Sequence, residues 1–360
     1  MAASTGEEMQ ARTLYRDGRS LVVLDQTGLP HVVRNCRLDT LEDAAEAIRG
    51  MQVRGAPLIG ATAAGGVALA LQLDASDAGL AGAIGVLGAT RPTAVNLHWA
   101  LGRMQARLAP LPAGAREAAA WAEFEAICRE DIATNGAIGR HGLPLLETVC
   151  AARRDRPVRV MTHCNAGWLA TLGHGTALAP VYAAQAAGIP VEVWVSETRP
   201  RNQGLLTAWE LREAGIPNRL IADNAAGILM ARGEVDLVIT GADRVAANGD
   251  TANKVGTYLK ALAARDAGIP FYIAAPGSTI DFGCPAGTSI PIEDRDGDEF
   301  RVVHGLEDGA RAQVHIAPAD AAVANPAFDV TPARLITAIV TERGCAAPDR
   351  LADLFPEHTP

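Results

Sequence analysis

The chain has 360 residues, 49% of them hydrophobic and 20% charged, and a formal net charge of -9. That is the composition of a folded globular protein long enough for two domains, not of a disordered chain. The acidic balance and the lack of any Lys/Arg run exclude nucleic acid as the main partner, because such a face needs a basic stripe against phosphates.

The start, MAASTGEEMQ, lacks the apolar core of a signal peptide, and no apolar run reaches membrane-spanning length. A cytoplasmic protein with no membrane partner is expected. Residues 21–24 and 31–38 predict two short strands joined by a turn at Thr27-Gly28-Leu29-Pro30. From Thr40 to about Cys150 the apolar spacing is helical, with helices over 41–51, 58–73, 94–108 and 115–132. A charged, Pro-ended stretch at 150–157 marks the expected boundary between an N-terminal strand and helical domain (1–152) and a C-terminal domain (153–360).

Beyond Pro157 short apolar runs alternate with helical stretches. Strands are predicted at 158–161, 191–195, 219–222, 236–240 and 271–275, apolar enough to be buried on both faces as in parallel sheets. Helices between them give a Rossmann-like α/β fold. Ala-Gly-Ile-Pro recurs at 187–190, 214–217 and 267–270, which suits a helix-to-strand junction: Gly ends the helix in the left-handed conformation and Pro blocks its continuation. A last helix is predicted over 331–343, with Pro332 in its first turn.

Ligands of such sheets bind beyond the carboxyl ends of the strands. The residues that follow the predicted strands there are rich in ionisable and polar groups: Thr162-His163-Cys164-Asn165, Ser196-Glu197-Thr198-Arg199, Asp223-Asn224, Gly241-Ala242-Asp243-Arg244 and Pro276-Gly277-Ser278. A lone Cys at a strand end is most often a small core residue. A helix starting just after Cys164 would favour its thiolate. His163 faces the other way if the strand alternation holds, which argues against a simple Cys–His pair. Asp243 fits either an ion pair with Arg244 or a carboxyl held protonated in an apolar pocket, ready to act as a general acid. Lysine is rare in this chain, so Lys254, in the loop 247–254 ahead of a helix, marks either a solvated cap or an anion site at the helix N-terminus. Arg54 and Arg91 each precede a predicted helix, where a guanidinium suits a phosphate.

None of the six cysteines forms a C-x-x-C pair, the histidines lack metal-ligand spacing, and neither a Walker lysine nor a G-x-G-x-x-G follows a strand. No metal and no cofactor is expected.

Segments VRGAPLIG (53–60), RPTAVNLHWA (91–100), THCNAGWLATLGHGTAL (162–178), SETRPRNQG (196–204), ITGADRVAANGDTANKVGT (239–257) and NPAFDVTPARLIT (325–337) together resemble the methylthioribose-1-phosphate isomerase family. The resemblance implies conversion of 5-methylthioribose 1-phosphate to 5-methylthioribulose 1-phosphate in methionine salvage, by a homodimer. It implies Cys164 and Asp243 as catalytic residues, and Arg54, Gly55, Ala56, Arg91, Gln203, Asn253 and Lys254 as substrate-binding residues. Only Leu205 and Leu206 separate Gln203-Gly204 from TAWEL (207–211), where family members often carry an extra residue and an Arg. Related enzymes take 5-deoxyribose 1-phosphate or ribose 1,5-bisphosphate, and the fold also resembles the non-catalytic regulatory subunits of the translation-initiation guanine-nucleotide exchange factor.

Overall fold

A computed structural model describes residues 12–358 except 93, 154 and 166. The amino-terminal stretch assessed above for a leader lies outside them. Among the described residues no helix is long and apolar enough to cross a membrane.

The chain opens with three antiparallel strands rather than two: β1 (Leu14–Asp17), β2 (Ser20–Leu24) and β3 (Asn35–Leu38). β2 lies between the others and is buried throughout. The predicted second strand begins only at Asn35, because Gly28 O accepts the N–H groups of His31 and Val32 in a turn. Five helices follow: α1 (Leu41–Arg49), α2 (Ala56–Leu71), α3 (Asp77–Gly88), α4 (Val95–Leu108) and α5 (Ala113–Ala152). α2 is apolar on nearly every side because its neighbours surround it. α3 was not predicted. Its glycines at 79, 82, 85 and 88 weaken the helical signal, but the Ser76 side chain caps it by accepting the Gly79 N–H. α5 runs well past the predicted end at 132 and contains Pro144. Its Trp121, Phe124 and Ile127 join the core of the first half, and its Ile138 and Leu146 join the core of the second.

The second half begins with β4 (Val158–Thr162), α6 (Ala179–Ala186), β5 (Val191–Ser196), α7 (Gln203–Glu213), β6 (Asn218–Ile221), α8 (Ala226–Ala231) and β7 (Leu237–Thr240). It continues with β8 (Arg244–Ala246), β9 (Thr251–Lys254), α9 (Thr257–Asp266), β10 (Phe271–Ala274) and β11 (Ile280–Asp281). A hairpin of β12 (Val302–Glu307) and β13 (Ala310–His315) precedes β14 (Phe328–Thr331), β15 (Ala338–Thr341) and β16 (Gly344–Ala346). The five predicted strands are β4, β5, β6, β7 and β10. They form a seven-stranded sheet in the order β16-β15-β10-β7-β4-β5-β6, parallel except for β16. The fold is therefore α/β, a small N-terminal sheet and helices followed by a mostly parallel sheet flanked by helices. The glycines of the repeated Ala-Gly-Ile-Pro stand at φ +75, +68 and +67, each closing a helix before the next strand.

The predicted helix over 331–343 is not a helix. β14 ends at Thr331, a short 3-10 turn spans Ala333–Leu335, and β15 enters the main sheet beside β10. Ile339, Val340 and Thr341 are β-branched and fit a strand buried on both faces, which has no alternation to reveal it.

From β4 the chain moves outward through β5 and β6, then returns to β7 on the opposite side of β4. The order therefore reverses between β4 and β7, the place where a crevice opens at the carboxyl ends of such strands.

Candidate active site

Two chain segments leave the sheet at that crevice, one carrying Cys164 and the other Asp243. Thr162 donates from Oγ1 to Ile239 O at 2.8 Å and holds the two strand ends together. A cavity of about 130 Å³ opens over them. It is lined by the nine residues that the family resemblance implies, Cys164, Asp243, Arg54, Gly55, Ala56, Arg91, Gln203, Asn253 and Lys254, but not by the strand-end residues at 196–199, 223–224 and 277–278. The two halves of the chain share the walls, with 54–56 and 91 coming from the helical half.

Cys164 adopts φ +72, left-handed for a residue with a side chain. Its N–H donates to Thr198 Oγ1 and its C=O accepts from Thr207 Oγ1, both at 2.9 Å. These two hydroxyls hold the turn in place, with the left-handed backbone at Cys164. Burial, with the Asp243 carboxyl beside it, pushes the thiol up to about 11. Burial thus disfavours the thiolate in the free protein, and among the described residues the first α-helix after Cys164 starts only at Ala179. Burial also pushes Asp243 above the usual carboxylate range, opposed by Lys254, Arg91 and Arg295. A raised carboxyl holds its proton to higher pH, as a general acid requires.

Five basic residues line the cavity, Arg54, Arg91, Arg244, Lys254 and Arg295, against one carboxyl, Asp243. Arg244 is 3.6 Å from Asp281. Burial lowers the Arg54 guanidinium to about 10. Lys254 is 6% exposed, with its ammonium 4.6 Å from the centre of the Phe328 ring. The chain's two lysines, Lys254 and Lys260, are both buried. Gly55 is required by space and conformation alike. It has φ +90, and a Cβ there would lie 2.4 Å from Ala170 O. Gln203 is buried, and its Oε1 has no partner, leaving an acceptor at the cavity wall.

The expected anion site at the N-terminus of the helix after 247–254 is filled from within. Residues 251–254 form β9, and Asp329 of β14 accepts the N–H groups of Gly256 and Tyr258 at 2.6 and 3.1 Å. Lys254 therefore reaches the cavity from a strand and not from a helix cap.

Beneath the cavity lies a second polar layer that sequence reasoning did not assemble. His163 is fully buried. Its Nε2 is 2.9 Å from Val255 O, so that nitrogen carries the proton, and Nδ1 faces Thr198 Oγ1 at 3.3 Å. Burial and the Lys260 ammonium keep the ring neutral. Asp223 accepts from Ser196 Oγ and from the N–H groups of Thr198 and Arg199, and Lys260 Nζ stands 3.8 Å from it. Glu210 of α7 is fully buried and takes the Leu169 N–H at 3.2 Å, and burial raises its carboxyl to about 8. Polar residues on separate strands meet here only once the sheet forms. Among the described residues no group of His, Cys, Asp and Glu side chains could hold a metal ion.

Residues 52–348 match the initiation factor 2 subunit family. The chain belongs to that family. It is 64% identical to a methylthioribose-1-phosphate isomerase of Dechloromonas aromatica, over 96% of this chain and 97% of that one. It is 56% identical to the protein of the same name from Rhizobium meliloti, over 96% of each. Its fold is similar to the crystal structure of 5-methylthioribose 1-phosphate isomerase from Pyrococcus horikoshii, with TM-score 0.82 and 39% identity over 96% of each chain. It is also similar to the structure of translation initiation factor eIF-2B, subunit delta, from A. fulgidus, with TM-score 0.79 and 36% identity over 96% of this chain and 99% of that one.

Proposed function

We propose that the protein is an aldose–ketose isomerase converting 5-methylthioribose 1-phosphate to 5-methylthioribulose 1-phosphate, a step of methionine salvage. The observation that carries this reading is the meeting of a half-buried thiol, Cys164, and a half-buried carboxyl, Asp243, in one small cavity with a cationic wall.

The substrate's C1 is tied up as a glycosyl phosphate, so its ring must open before C1 and C2 exchange oxidation level. Asp243, whose carboxyl burial raises above the usual range, gives its proton to the ring oxygen as the C1–O bond breaks. One hydrogen then passes from C2 to C1, with Cys164 as the group assigned to that edge of the sugar. The C2 hydroxyl loses its proton, which restores Asp243. Atoms balance without a co-reactant. Arg54, Arg91 and Lys254 bind the phosphate, Gly55 and Ala56 bring backbone amides close to it, and Gln203 and Asn253 take sugar hydroxyls.

Met51, Ile290, Pro291 and Phe328 form an apolar part of the wall. It suits an uncharged 5-substituent better than a second phosphate. Arg201, which stands nearby, is already paired with Glu299 at 2.7 Å. In this reading residues 1–152 and 153–360 are two domains that close on the sugar phosphate, and the enzyme works as a cytoplasmic homodimer.

The test is incubation of purified protein with methylthioribose 1-phosphate, followed by NMR. Ketose is expected, and its absence rejects the reading. Cys164→Ser and Asp243→Asn should each lower kcat by about 100-fold or more while the far-UV spectrum stays native. Full activity in either removes that residue from the mechanism. Ribose 1,5-bisphosphate and 5-deoxyribose 1-phosphate should give lower kcat/KM than the methylthio sugar. Stable co-purification with an exchange factor and no turnover would support a regulatory subunit instead.

A further inference from the structure

Arg295 lies in the irregular segment between β11 and β12, in none of the motifs that identified the site. Its side chain is 7% exposed and lines the cavity. The segment is anchored there. Arg295 N–H donates to Asn325 O at 2.9 Å, and Asp294 bridges to Pro326.

The guanidinium is held but not satisfied. Its terminal nitrogens are 3.4 Å from Glu293 and 3.6 Å from Glu299, longer than a good charge-assisted hydrogen bond. Its Nε is buried with no hydrogen-bond partner. A buried orphaned donor costs free energy unless a ligand completes it. Arg91 and Lys254 are both held below their usual basicity, first by burial and further by the Arg295 charge. Cations gathered this closely in a buried wall repel one another unless an anion lies between them.

We infer that Arg295 is a further substrate-binding residue, whose Nε–H and one terminal N–H bind the phosphate of the sugar as a fork, with Glu293 and Glu299 aiming it. This rests on the sugar-phosphate reading of the cavity, but it needs only a phosphate and not the isomerisation. The two acids lie at the terminal nitrogens, which leaves the Nε–H of this cavity-lining side chain without a partner. A lysine there would supply charge but no fork.

The experiment measures inhibition by inorganic phosphate in wild type, Arg295→Gln and Arg295→Lys, alongside KM, kcat and thermal unfolding. The inhibition constant for phosphate and KM should both rise by about tenfold or more in Arg295→Gln, with partial recovery in Arg295→Lys and a smaller change in kcat. If the Gln variant fails to fold, the Lys variant alone decides, since it keeps the charge beside Glu293 and Glu299. A purely structural arginine would lower the unfolding temperature but leave phosphate inhibition within about twofold of wild type, and that result overturns the inference. Should wild type show no turnover, phosphate binding is read by calorimetry on the same proteins. The isomerase reading then falls while Arg295 is still judged by its own loss of phosphate affinity.

Discussion

At the residue scale the site depends on placing protons where water would not leave them. In the proposed mechanism Asp243 acts protonated, and burial raises its carboxyl above the usual range, so kcat/KM should fall as pH rises through its titration. A pH–rate profile whose alkaline limb ignores the state of Asp243, and is unchanged in a residually active Asp243→Asn variant, would contradict this. Glu210 offers a cleaner view of the same physics, away from the reacting atoms. Its carboxyl sits at about 8, against an ordinary 4.5. A raised carboxyl gives full stability below the unfolded value, and that stability is lost as pH rises through the folded one. Glu210→Gln should therefore gain in unfolding temperature relative to wild type between about pH 5 and pH 8. Calorimetry across that window checks it, and a pH-independent difference would show that Glu210 does not titrate there. Cys164 and Asp243 were legible because each follows an apolar run that can only be a buried strand. Arg295 was not, because it stands in irregular chain where neither period nor cap gives a signal. The strand-end rule named His163, Thr198 and Asp223 but not the layer they form with Lys260, which comes together through the fold alone.

At the element scale, turn chemistry was the most readable part of the sequence. The three Ala-Gly-Ile-Pro junctions fall where they should because left-handed backbone and a following Pro leave few alternatives. A Cβ at Gly188 would meet nothing within 4 Å, so Gly188→Ala isolates the conformational cost. It should lower stability by about 1 kcal/mol and leave kcat unchanged, measured by denaturant unfolding and the isomerase assay. Period was less dependable. α3 was hidden by its own glycines, and β15 carried apolar residues at helical spacing while its β-branched side chains belonged to a sheet. α5 was cut short at 132 because its apolar stripe passes from one core to another, and no single period describes both faces.

On the scale of the whole molecule, the cavity belongs to neither half alone. α4 and the segment after β10 are joined by Asn96, which donates to Ser278 Oγ at 3.0 Å. α5 enters both cores. Ligand should thus stabilise the chain as a unit. At a hundred times its Kd, a substrate analogue should add about 2.7 kcal/mol and move one unfolding transition, not split it into two. Differential scanning calorimetry decides the point.

The burial of both lysines reaches further than the site. With every other basic side chain an arginine or a histidine, amine-reactive reagents meet no lysine on the described surface. Acylation by a succinimidyl ester should spare both lysines of the native protein. Intact-mass analysis should find labels at Lys254 and Lys260 only as the protein unfolds, so the count of modified amines becomes a direct readout of global opening.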